Sequence, residues 1–307
     1  MASELTLDEQ KAVAQLKEAV APEVEKHSCL RYFVRNEHTY VRFLRARQWN
    51  LAKAIKMLQA TLEWRLSFKP HELTWDIVKT EAGTGKQQVY DWVDNAGRPI
   101  VMMRPRKENT KDADKQINFL IYHLELASTM ADDSGVGKMT WCLDFNGYSL
   151  LNAPPLKMSL HCNSILQNHY PERLGMALCY HAPLLFTMTW RAVSPFVDAV
   201  TKAKIFFVNK NPKEAEQMRE KMPLEKMDRC MGGDVEDTFD LPSYEVRMLA
   251  HDAVVKGLLQ QATDLHNSGG GGGGGSLVSS SGDSALLVKQ MEGLHVLAEP
   301  LPASVKA

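Results

Sequence analysis

Near Gln87 the sequence changes its period, and few folds tolerate that change. Upstream, apolar residues recur at helical spacing, as in Leu51, Ile55, Leu58, Leu62 and Leu66. Downstream, short apolar runs alternate with helical segments. Val89, Tyr90, Trp92 and Val93, a turn at Asn95-Ala96-Gly97, and the run Pro99–Met103 read as a hairpin. Asp112 is placed to cap a helix carrying Ile117, Leu120, Ile121 and Leu124; residues 138–145 then read as a buried strand. A helix over 154–168, a strand over 174–180 and a strand over 204–208 follow. Strands joined through helices must pair in parallel, because each helix carries the chain back to the starting edge. The spacing therefore predicts an α/β fold: an N-terminal helical bundle followed by a mainly parallel sheet with helical crossovers.

Within the bundle, Thr6 with Glu9 three residues later forms a capping-box pattern, and the helix it opens is expected to be interrupted or ended by Pro22. Residues 40–49 predict a short helix with three arginines, and Asn50 predicts the cap of the next. Four segments result: residues 1–80, helical; 81–242, the α/β unit; 243–267, a last amphipathic helix; and 268–307, a tail. The tail opens with an unbroken glycine run over 269–275 and continues serine-rich, a composition that predicts no fixed structure. Within it, the apolar segment 285–297 is a candidate tethered helix or partner motif.

Residues 183–201 stand apart. Phe186, Trp190, Val193, Val197 and Val200 form one apolar line at helical spacing, and Leu185, Met188, Ala192, Phe196 and Ala199 form a second beside it. That arc is wider than a helix needs to dock on a core, yet Arg191, Pro195 and Asp198 interrupt it, so it does not read as a membrane span. Ser194 as an N-cap with Pro195 at the first helical position predicts two short helices, a jointed apolar lid. The alternative is a broken core helix.

The 307 residues, 44% hydrophobic and 24% charged, supply enough apolar material for a buried core. With 36 Lys and Arg against 37 Asp and Glu, the net charge of -1 offers no global field for nucleic acid. Five scattered cysteines (Cys29, Cys142, Cys162, Cys179, Cys230) lack metal-site spacing and read as reduced thiols, and the first residues carry no signal-peptide pattern. The expectation is a cytoplasmic monomer with no metal. Gly83-Thr84-Gly85-Lys86 lacks the upstream glycine and the Ser or Thr of a phosphate loop, and no nucleophile elbow or paired-cysteine motif occurs. Catalysis is not expected, an esterase on an α/β scaffold ranking last among the readings.

A set of short motifs remains: Phe43-Leu44-Arg45-Ala46-Arg47, Leu143-Asp144-Phe145, Tyr170-Pro171-Glu172-Arg173, Ala182-Pro183, and the lid leading into Lys204-Ile205-Phe206. In order and spacing the chain resembles the CRAL-TRIO, or Sec-fourteen-like, family of lipid-binding and lipid-transfer proteins over most of residues 39–233. The resemblance implies an apolar cavity floored by the sheet and closed by a helical gate at 183–201. It also implies that Arg47, Glu172, Thr201 and Lys204 hold the headgroup of phosphatidylinositol, with no other cofactor. Cations and a hydroxyl suit a phosphodiester, and a carboxylate suits inositol hydroxyls. Gln48 stands where transfer proteins of the family carry a lysine. Met139 and Trp141 stand where hydroxyl side chains hold phosphatidylcholine, which argues against that second ligand. The expected role is to bind one phosphatidylinositol and exchange it at membrane surfaces. Two alternatives are an adaptor that presents the lipid to a kinase or trafficking partner through the C-terminal tail, and a carrier of a tocopherol, retinoid or sterol.

Overall fold

The computed structural model describes residues 5–197, 199–208, 212–236 and 239–268. The glycine run, the apolar segment 285–297 and Asp198 of the lid lie outside them. Helix α1 (Leu7–Lys26) opens with the reciprocal cap, the Glu9 N–H donating to Thr6 Oγ1 at 3.3 Å and the Thr6 N–H to Glu9 Oε2 at 2.9 Å. Pro22 does not end it. The proline and the residue four positions earlier, Glu18, both face solvent, so water can satisfy the freed carbonyl while Val20 and Val24 stay buried on the inner face. Two short helices follow, α2 (Ser28–Phe33), which no pattern announced, and α3 (His38–Arg45). In α4 (Leu51–Phe68) the Asn50 side chain accepts from the Lys53 N–H at 3.1 Å, and the helix stops at Lys69 in the left-handed region, before Pro70. Leu16, Leu30, Phe43, Leu44, Leu58 and Leu62 form the centre of this bundle. Helix α5 (Trp75–Ala82) leads into the sheet.

Five strands lie in sequence order: β1 (Gln87–Val93), β2 (Pro99–Met103), β3 (Met139–Asp144), β4 (Leu174–Tyr180) and β5 (Ile205–Val208). The β1–β2 hairpin is antiparallel and the other three pairings are parallel, as the alternation of strands and helices requires. The crossovers are α6 (Ala113–Asp133), capped by the Asp112 side chain, then α7 (Leu156–His169), then α8 (Leu184–Val193) with α9 (Ala199–Lys202). Helix α10 (Pro212–Lys221) and the long α11 (Leu241–Ser268) complete the described chain. None of these helices is long and apolar enough to cross a membrane.

Register divides the sheet into two unlike faces. On one, Met102, Cys142 and Leu178 align across the strands with Phe206. There Met176, Met218, Met222, Met227 and Met231 join Met102 in a closed core. Flexible thioethers suit the irregular segment between α10 and α11 that covers this face. On the other face, Val101, Trp141, Ala177 and Ile205 form one row, and Met103, Leu143, Cys179 and Phe207 the next. Here burial is incomplete. Trp141 and Leu143 are only half-buried although β3 is the central strand, whereas Thr140 and Cys142 on the opposite face have no exposure. Trp141 and Met103 of this apolar inner face pack against the core cluster formed with α6, while Leu143 stays half-buried toward the lid.

Candidate functional site

The lid sits over that inner face. Phe186 of α8 packs on Phe145 with ring centroids 4.0 Å apart, and both Phe186 and Trp190 approach Phe207 of β5 at 6.4 Å. Val197 is buried. Leu184, Met188, Phe196 and Val200 point outward with exposures of 74%, 59%, 60% and 59%. The side chains of Leu185 and Val193 lie outside the described residues. The lid residues thus separate into an inward set, Phe186, Trp190 and Val197, and an outward set, Met188, Phe196 and Val200. The joint between them is a single 3-10 turn, Ser194–Phe196. Ser194 is not its N-cap: its backbone is helical and its hydroxyl lies 3.5 Å from the Arg191 carbonyl. The Phe196 carbonyl instead accepts from Gln167 Nε2 of α7 at 2.8 Å, a tie that holds the joint from outside.

At the other end of the inner face, the turn after α7 presents Glu172 with φ of 58°, a left-handed conformation that costs a residue with a side chain about 1–2 kcal/mol. The neighbours of Glu172 hold it there. The Tyr170 hydroxyl donates to Glu125 Oε1 at 2.6 Å, Arg42 donates to the Pro171 carbonyl at 3.1 Å, and Arg173 grips Asp132 with both terminal nitrogens at 2.5 and 2.6 Å. Glu125 is in turn clamped by Arg65 at 2.9 and 2.7 Å. Burial opposes the charge on Glu125, but the Arg65 guanidinium and the Tyr170 hydroxyl outweigh it and lower its pKa to about 2. With its neighbours so anchored, Glu172 turns its carboxylate toward Lys204, whose Nζ lies 3.9 Å away.

Lys204 lies immediately before β5, and its N–H donates to the carbonyl of Thr201, one turn earlier at the end of α9, at 3.0 Å. Three of the four residues expected to hold a headgroup, Glu172, Thr201 and Lys204, therefore share one edge of the sheet. The fourth, Arg47, lies in the turn after α3, where its guanidinium donates to the Ala46 carbonyl at 3.0 Å. One cation that sequence reasoning missed, Lys138, shares the field of the Glu172–Lys204 pair. Lys138, half-buried, has its pKa lowered by burial first and by Lys204 next; Glu172 opposes that shift and Arg45 adds to it. A signal for Lys138 was present. The residue before each of β2, β3, β4 and β5 is basic (Arg98, Lys138, Arg173, Lys204), and parallel pairing brings all four starts to one edge. Arg98 and Arg173 are paired with Asp94 and Asp132, whereas Lys138 has no ion pair among the described residues. Gly175 keeps this edge passable: a Cβ there would lie 2.7 Å from the Arg98 side chain and 3.3 Å from that of Lys138. The resulting arrangement has a carboxylate, a hydroxyl-bearing turn and several cations at one edge, and an apolar, partly half-buried face behind the lid. Among the described residues no cluster of His, Cys, Asp or Glu is suited to a metal ion.

The model of the CRAL/TRIO domain matches residues 83–233, and that of the CRAL/TRIO N-terminal domain matches residues 12–60. The phosphatidylinositol transfer protein PDR17 of Saccharomyces cerevisiae is 37% identical over 180 residues, covering 55% of this chain and 51% of that protein. The phosphatidylinositol transfer protein CSR1 of Eremothecium gossypii is 30% identical over 221 residues, 66% of this chain and 48% of that protein. The chain thus spans about half the length of these two relatives. The crystal structure of Sfh5 superposes with a TM-score of 0.62 over 85% of this chain and 99% of that chain, at 16% identity, a likeness of fold alone. Both models match in order along one chain that carries the helical bundle, the five-stranded sheet and the lid, and the protein belongs to the CRAL/TRIO family.

Proposed function

We propose that this protein holds one phosphatidylinositol with its acyl chains against the apolar, partly half-buried face of the sheet and its headgroup at the basic edge, and exchanges it with membranes. The observation that carries the reading is the Glu172–Lys204 pair beside Lys138, at the edge of a sheet whose central strand keeps Trp141 and Leu143 half-buried on the lid side. In this arrangement Lys204, Lys138 and Arg47 take the phosphodiester, the Thr201 hydroxyl donates to it, and Glu172 accepts from inositol hydroxyls. No bond is made or broken, and two relatives bear the name of transfer protein rather than of enzyme. An acyl chain gains about 0.8 kcal/mol per CH2 on leaving water, but the bilayer already provides that gain. The cavity therefore only matches the bilayer, and the protein acts by lowering the barrier between the two. The outward Leu184, Met188, Phe196 and Val200 meet the membrane interface while α8 and α9 swing aside.

The test is transfer of labelled phosphatidylinositol between vesicles, with native mass spectrometry of the purified protein to identify the lipid it carries. Combining Arg47→Ala with Lys204→Ala is expected to abolish most transfer while the protein still melts cooperatively. Undiminished transfer by that double variant would refute the headgroup assignment, and co-purification of a sterol, retinoid or tocopherol would refute the ligand.

A further inference from the structure

Behind the Glu172 turn, where α2, α3, α4 and α6 meet, lies a cleft of about 20 Å³ that the lipid reading does not use. Its wall carries four guanidiniums, Arg35, Arg42, Arg65 and Arg173, against two carboxylates, Glu125 and Asp132. Those carboxylates are already taken, Glu125 by Arg65 and Asp132 by Arg173, each through two nitrogens. Arg42 is left over. It is 7% exposed and donates only to neutral oxygens, the Pro171 carbonyl at 3.1 Å and Thr39 Oγ1 at 3.4 Å. Burial, with Arg173 as the next cause, lowers its pKa to about 9, and the opposing pull of Asp132 and Glu125 does not offset it. His169, which also lines the cleft, is held neutral by burial and offers no negative charge. Three buried donors of lining residues, Arg42 Nε, Arg65 Nε and Ser128 Oγ, have no partner. Each such donor is costly to leave unsatisfied.

From this charge excess and these donors we infer that the cleft is a binding site for a single monatomic anion, chloride under cellular conditions. Size selects the ion. A volume of about 20 Å³ matches one water-sized particle, the size of a monatomic ion rather than of phosphate or sulfate. Charge selects it over water, since a neutral occupant would leave Arg42 uncompensated. The site touches the lipid edge only indirectly, through the Arg42 bond to Pro171 next to Glu172, and it stands whether or not the lipid is phosphatidylinositol.

The direct test is diffraction from crystals of the full chain soaked in sodium bromide. An anomalous peak between Arg42 and Arg65 is expected, and bromide found elsewhere but not in the cleft would overturn the inference. In solution, exchanging sodium gluconate for sodium chloride at fixed ionic strength is expected to raise the melting temperature by a few degrees in a saturable way. Arg42→Gln should abolish that increment. An equal increment in the variant would overturn the assignment, and the bromide experiment decides the matter on the wild type if the variant does not fold.

Discussion

Glu172 shows how a single residue can spend stability on placement. It occupies the left-handed region without being glycine, and Arg42, Arg173 and the Tyr170–Glu125 bond force it there. If that strain is kept for the carboxylate, Glu172→Gly should relieve it and remove the ligand contact together. The variant is expected to melt at the same or a higher temperature than the wild type. It should bind phosphatidylinositol roughly 10-fold to 100-fold more weakly, the equivalent of one charge-assisted hydrogen bond of about 1.5–3 kcal/mol. A joint fall of stability and binding would show Glu172 to be a structural brace instead. Lys138→Ala should weaken binding too, with little stability cost, because Lys138 has no ion pair among the described residues and burial already opposes its charge. Glu172, Thr201 and Lys204 enter as candidates through the family resemblance of the motifs that hold them, and the parallel strands bring these motifs to one edge. Lys138 was not legible in the sequence, because its significance comes only from the parallel register that brings four strand starts to one edge.

Among the elements, those read correctly from sequence carry strong local signals: the Thr6–Glu9 and Asn50 caps, the Asp112 cap of α6, and apolar strands bounded by turns. The misreadings share a cause, namely that tertiary contact overrode a local rule. Helix α1 runs through Pro22 because packing on both sides holds it, and α2 and α5 are too short to show a period and exist by docking on the bundle and on α11. The lid was legible as a jointed apolar segment, but not which of its residues face out, since both of its lines are apolar. That division makes a prediction. Met188→Asp and Phe196→Asp place charge on the outward surface, so they should leave the melting temperature within about 1 °C while sharply reducing co-sedimentation with vesicles. Val197→Asp, on the buried side, should destabilise the fold by several kcal/mol. Vesicle binding unchanged by both outward substitutions would remove the lid from the membrane contact. Removing all residues after Ser268 should leave transfer intact, because every residue assigned to the site precedes it; a loss measured in the same vesicle assay would implicate the tail.

For the molecule as a whole, the units are pinned to one another by neutral buried imidazoles, and that gives folding a defined pH dependence. His123 of α6 bonds Gln87 of β1 through Nδ1 at 2.9 Å and Tyr244 of α11 through Nε2 at 2.8 Å. His169 stacks on Trp64 of α4 at 4.4 Å, and His251 packs α11 against Tyr122. Burial lowers all three, His123 to about 3 and His169 and His251 to about 4, against about 6.5 in an unfolded chain. Because the folded values lie below the unfolded one, the unfolded chain binds the extra protons as pH drops below about 6.5. Stability is therefore complete above that pH and declines toward pH 4, by about 1.4 kcal/mol per pH unit for His123, the fully buried one. Glu125 behaves separately: its lowered value keeps its contribution intact until pH falls below about 4.3, after which it fades toward pH 2. Urea unfolding at pH 7.5 and pH 5 should give a clearly lower midpoint at pH 5, with protons taken up on unfolding. The fall should be shallower in His123→Gln, whose amide does not titrate. A midpoint indifferent to pH over that interval would mean that the imidazoles are charged or solvated in the native state, and that the junction of α6, β1 and α11 is looser than its hydrogen bonds require.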